Sequence, residues 1–135
     1  MTGEEFLNHV KQLGKEAVSA EARYRAVFRS LTGTSPDYSK PFIDSSPTGD
    51  KYSAISIAGE QRDAAKRSYD DAAARLLELI EDFPTKEKES LTYRYINRLK
   101  PNKTARKMGI SPEWERAIHL RAKAAFNEVW EKRGD

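Results

Sequence analysis

Two long runs of apolar residues, spaced alternately by three and four positions, restrict what this chain can become. In residues 4–31 the run is Phe6, Val10, Leu13, Ala17, Ala20, Tyr24, Val27 and Leu31. In residues 51–83 it is Ile55, Ala58, Ala65, Tyr69, Ala72, Leu76, Leu79 and Phe83, with the charged Arg62 at one seam position, and Pro84 ends it. This spacing keeps the side chains on one side of an α-helix, as in a coiled-coil seam. The first run predicts a helix of about eight turns. Glu4 and Glu5 suit its positive N-terminal end, Gly33 is its natural stop, and Gly14 lies off the seam at a helix-propensity cost of about 1 kcal/mol.

Residues 32–50 contain three prolines and two glycines, which exclude a continuous helix and predict a loop, with Phe42 and Ile43 tucked against the helices. Two helices of matched length joined by a loop should fold back as an antiparallel hairpin. Its seams hold many alanines and one arginine, so the hairpin alone buries little area. It is expected to need the C-terminal part or a second copy of the chain, and a homo-oligomer is therefore expected.

After Pro84 the pattern shortens. Thr85 is expected to cap a helix over residues 86–99 whose apolar face is Leu91, Tyr95, Ile96 and Leu99. Pro101 cannot continue that helix but can open a short one ending at Met108. Ala105 and Gly109, four apart, allow a close helix approach at the turn, and Ile110 plugs the corner. Ser111 followed by Pro112 is a helix start. The last helix is expected to send Trp114, Ile118, Ala122, Ala125, Phe126 and Val129 inward, with Trp130 packing back on the hairpin. Its outer side near the start carries Glu113, Arg116, Leu120 and Lys123. The expected fold is thus all-α: a helical hairpin over residues 1–84, serving interaction or oligomerisation, then a helix-turn-helix three-helix unit over residues 85–135.

Charge separates the two parts. Residues 1–84 hold 11 Lys and Arg against 14 Asp and Glu, whereas residues 85–135 hold 13 against 7. Between Arg94 and Lys107 stand Arg94, Arg98, Lys100, Lys103, Arg106 and Lys107, with no acid among them. A run of this kind often forms a solvated face. Placed on the helices that flank a recognition helix, it points to nucleic acid.

Other chemistry finds little support. The chain has no cysteine, and its two histidines, His9 and His119, fall on distant helices, so no metal-ligand spacing emerges. Both are expected at the surface. Asp70-Asp71 and Glu81-Asp82 are helix neighbours that point about 100° apart and cannot converge on one atom. No phosphate loop or nucleophile arrangement is present, and neither an enzyme nor a cofactor is expected. Residues 1–8 lack the basic start and apolar core of a secretory leader, and no apolar run reaches the roughly 20 residues that span a bilayer.

Tyr95-Ile96, Ala105, Met108-Gly109-Ile110-Ser111 and Ile118-His119-x-Arg121-Ala122 resemble region four of bacterial sigma factors. Together with the long helical part before them, they are similar to phage and mobile-element late transcription regulators of the RinA and ArpU type. The resemblance implies a double-stranded DNA partner, host RNA polymerase as a further one, and the bacterial cytoplasm. It places the start of the last helix in the major groove, where Arg116 would pair with guanine and Glu113 accept from cytosine N4. Lys103, Lys107, Ser111 and Arg121 would hold phosphates. The chain departs from that pattern at Glu115 and Thr104, where relatives carry apolar residues, so Trp114 is expected to take over the packing. It departs also at Lys100, which replaces a capping threonine, and at Pro112 and Ala117, which replace polar base readers. Two other readings suit a basic helical chain: a small DNA-packaging subunit of the phage terminase kind, and a helical protein-interaction module that binds no DNA.

Overall fold

The computed structural model describes residues 1–32 and 48–133, and the side chains of residues 1–31 and 52–133. The regular elements of the described residues are all helical, with no strand among them. Helix α1 is Gly3–Thr32, α2 is Thr48–Leu79, α3 is Thr85–Leu91, α4 is Pro101–Met108 and α5 is Pro112–Arg133. Helix α3 runs directly into a π-helical turn, Thr92–Ile96. The interior of the expected loop, Phe42 and Ile43 included, lies outside the described residues. Its second end is helical from Thr48, three residues earlier than the seam suggests.

Contacts divide the chain into two compact units, one of Met1–Gly14 with Tyr69–Asp135 and one of Lys15–Ser68. In the first, a single core gathers Phe6, Leu7 and Val10 of α1, Leu76 and Leu79 of α2, Ile80, then Leu91, Tyr95, Ala122 and Phe126. It draws on residues from both sides of Pro84. Phe6 stacks on Trp130 with ring centroids 4.6 Å apart and on Phe126 at 6.1 Å. Trp130 Nε1 donates to the Met1 carbonyl at 2.7 Å, and the Lys123 ammonium reaches Glu4 at 2.7 Å. Lys123 is therefore spent on an ion pair rather than free on the outer side of α5.

The second unit explains the arginine in an otherwise apolar seam. Ala20 and Ala58 are buried, and the Arg62 guanidinium lies 4.0 Å from the centre of the Tyr24 ring with Nε 3.8 Å from Glu21. A cation over an aromatic face keeps its charge near water while its stem covers apolar surface.

Three local expectations are corrected. Helix α3 begins at Thr85 itself with Pro84 in the cap position and no side-chain cap. The helical stretch stops at Ile96, because Arg98 adopts a left-handed conformation with φ of 56° and Leu99 N–H turns back to the Tyr93 carbonyl at 2.9 Å. That closure is a helix-ending motif usually built on glycine. The Tyr69 hydroxyl seals it by donating to the Ile96 carbonyl at 2.6 Å. Gly14 is likewise no idle break: a Cβ there would come within 2.6 Å of Arg98 Nη1 and 3.1 Å of Tyr69 Cε1. No helix among the described residues is long and apolar enough to cross a membrane.

Phe126 is fully buried while Leu77 is half exposed. Phe126→Ala should therefore cost about 3 to 5 kcal/mol of unfolding free energy, and Leu77→Ala no more than about 0.5 kcal/mol, read from urea denaturation midpoints.

Candidate nucleic-acid interface

The surface of α4 and α5 is set by local chemistry at the turn between them. Pro101 opens α4, where a missing N–H costs nothing, and Lys100 occupies the cap position without a side-chain cap bond. Gly109 ends α4 in the left-handed conformation, φ 71°, and the Ile110 N–H returns to the Ala105 carbonyl at 3.0 Å. Ala105 is almost wholly buried at this corner, and Ile110 is partly buried. Ser111 then caps α5, its Oγ accepting the Trp114 N–H at 3.2 Å.

Which side of α5 faces inward is decided by Glu115, Ile118, His119, Ala122 and Phe126, all buried. Trp114, expected in the core, is instead 47% exposed, with the Lys86 ammonium 4.9 Å from its ring centre. The reason is helical phase. At 100° per residue Trp114 stands roughly 100° from Glu115, and Glu115 shares its direction with Ala122 and Phe126.

Glu115 has no exposed surface, and its carboxylate is fully engaged. One oxygen accepts from Ser90 Oγ and from Arg94 Nε, each at 2.8 Å, and the other takes Arg94 Nη2. Burial pushes the carboxyl up, but the hydrogen bonds from Arg94 and Ser90, with the guanidinium charge, outweigh it and hold the group below its ordinary 4.5. One turn later, His119 is buried rather than at the surface, its Nε2 hydrogen-bonded to Tyr95 Oη at 2.8 Å. Burial first, then the positive charge of Arg94 and more weakly of Lys123, push the imidazole down to about 4 against the pull of Glu115 and Glu4. Thr104 of α4 is also wholly buried, and its hydroxyl has no hydrogen-bond partner among the described residues. It occupies a packing position at a cost of about 1–3 kcal/mol for the stranded hydroxyl.

The basic run is thereby split. Arg94 is consumed by Glu115, and Arg98 lies over the Tyr69 ring, 6.0 Å from its centre. Lys100, Lys103, Arg106 and Lys107 remain exposed. All six residues singled out from the sequence, Lys103, Lys107, Ser111, Glu113, Arg116 and Arg121, are exposed. Lys103 and Lys107 are one turn apart on one side of α4. Glu113 and Arg116 are three apart on one side of α5, whereas Arg121 stands roughly 140° from Arg116 and belongs to the opposite flank. Among the described residues no carboxylate lies within ion-pair range of Lys103, Arg106, Lys107, Arg116 or Arg121. Arg106 also lines a shallow cavity of about 400 Å³ with Asn102, Ala105, Ile110 and Pro112. Arg106 of the basic run and the exposed pair Ala117 and Leu120 of α5 belong to this surface as well.

The buried histidine makes the seat of α5 pH-sensitive. His119 stays neutral in the folded chain down to about pH 4, whereas an unfolded histidine takes its proton near 6.5. The unfolded state binds more protons in that window, so stability should fall as pH drops from 6.5 towards 4, by at most about 1.4 kcal/mol per pH unit from this group. Glu115 acts lower: its contribution is present above 4.5 and is lost as pH falls through its depressed folded value. Urea midpoints measured from pH 7 to pH 4 should decline, and His119→Gln should flatten the decline above pH 4.5. No family model matches this chain, and neither a curated protein nor a solved structure matches it.

Proposed function

We propose that this chain is a sequence-specific double-stranded DNA-binding protein that regulates transcription, in the manner of phage late regulators. In this reading α4, the Gly109 turn and α5 act as a helix-turn-helix, with the first turns of α5 entering the major groove. Helices α1 and α2 form an antiparallel hairpin that holds this unit and pairs it with further copies in the bacterial cytoplasm.

The observation that carries the proposal is the separation of charge on α4 and α5. Glu115 of α5 is buried against Arg94, while Lys103, Arg106, Lys107, Arg116 and Arg121 are exposed without acid partners among the described residues. Unpaired cations on neighbouring turns gain from polyphosphate by releasing its counterions. Glu113 sits at the start of α5, where the positive helix end suits it and where a cytosine amino group is its natural donor. The start of α5 is also well fixed, through the Ser111 cap and the Glu115 anchor, as base reading requires.

Selection of bound duplexes from fragmented genomic DNA of the source organism tests the reading directly; no enrichment at any salt concentration would refute it. On a selected site, Arg116→Ala should lose about 1–3 kcal/mol of binding and lose little on random duplex. Lys103→Ala should weaken every duplex alike and reduce the slope of log affinity against log salt by about one.

A further inference from the structure

The outer arc of α5 carries more than charge. Opposite the buried Ile118, Ala122 and Phe126, its first turns expose Glu113, Arg116, Ala117 and Leu120. At 100° per residue, Ala117 and Leu120 stand roughly 60° apart with Glu113 between them in direction. Leu120 is 61% exposed. A single exposed leucine is ordinary on a protein surface. This one stands beside Arg116 on the exposed arc of α5, on a surface to which α4 adds the exposed cations Lys103 and Lys107 and α5 adds Arg121. That company matches a polyanion with an apolar spot inside its groove.

In duplex DNA the major-groove edge offers one apolar group, the C5 methyl of thymine, and aliphatic side chains are its partners. We infer that Leu120, with Ala117 beside it, selects A·T pairs by burying thymine methyl groups next to the pair read by Arg116. The inference rests on α5 being the groove helix. At Ala117 a small apolar side chain admits the methyl where a hydrogen-bonding one would be stranded. Burying one methyl group at the usual area coefficient corresponds to about a fourfold gain in affinity.

The test uses the full chain and a duplex selected for binding from a random-sequence pool. Each thymidine is replaced singly by deoxyuridine, which keeps base pairing and lacks only the methyl. At one or two adjacent positions the replacement should weaken binding about fourfold. Leu120→Ala should weaken the thymidine duplex and remove the thymidine-to-deoxyuridine ratio at that position, while Lys103→Ala should leave the ratio intact. A duplex bound selectively but indifferent to deoxyuridine everywhere would overturn the methyl contact and spare the groove helix. A ratio that survives in Leu120→Ala would overturn the role of Leu120. Failure to retain any duplex would overturn both readings. Leu120 is exposed, so its truncation leaves the core intact.

Discussion

The buried pair of Arg94 and Glu115, completed by Ser90, is the contact on which the C-terminal architecture turns. Taking a carboxylate wholly out of water is expensive, and the cost is met only when its lone pairs are filled by good donors. Here both oxygens are occupied, from a hydroxyl and two guanidinium nitrogens. An apolar contact tolerates a slide of an ångström, whereas this geometry does not. The pair therefore acts more on register than on net stability: it fixes the rotation of α5 and, with it, which residues face outward.

The π-helical turn at Thr92–Ile96 belongs to the same device. Such turns insert an extra residue into an α-helix and are common where a side chain has to be re-aimed. Two consecutive residues, Arg94 and Tyr95, here meet two residues one turn apart on α5, Glu115 and His119. The electrostatic outcome is a subtraction. One acid and one cation leave the surface together, and Lys100, Lys103, Arg106 and Lys107 of the basic run remain exposed.

Features governed by neighbours in sequence were legible in advance. The three-and-four spacing places Phe6, Val10, Ala20, Ala58, Leu76 and Leu79 on the buried sides of α1 and α2. Pro101, Gly109, Ser111 and Pro112 mark the limits of α4 and α5 because caps and turns are short-range chemistry. Features set by distant partners were not. Glu115 reads only as an acid at a packing position until Arg94, 21 positions earlier, is seen against it. His119 reads as exposed until Tyr95 covers it, and Trp114 as core until the phase of α5 is fixed by Glu115. Gly14 looks like a mild helix defect, yet it makes room for Arg98. The candidate surface lay between these cases: its exposed cations follow from residue type, but the removal of Arg94 and Arg98 from it follows only from tertiary contacts.

The stacking of Phe6 on Phe126 and Trp130 bears on how the chain is built by the ribosome. Helical rods wind within about a microsecond because their hydrogen bonds are local, but this aromatic cluster joins α1 to α5 and cannot assemble until α5 has emerged. For most of translation the leading turns of α1 hold an unmatched apolar side. Closure of the core thus waits on α5, more than a hundred residues after the α1 side chains it covers.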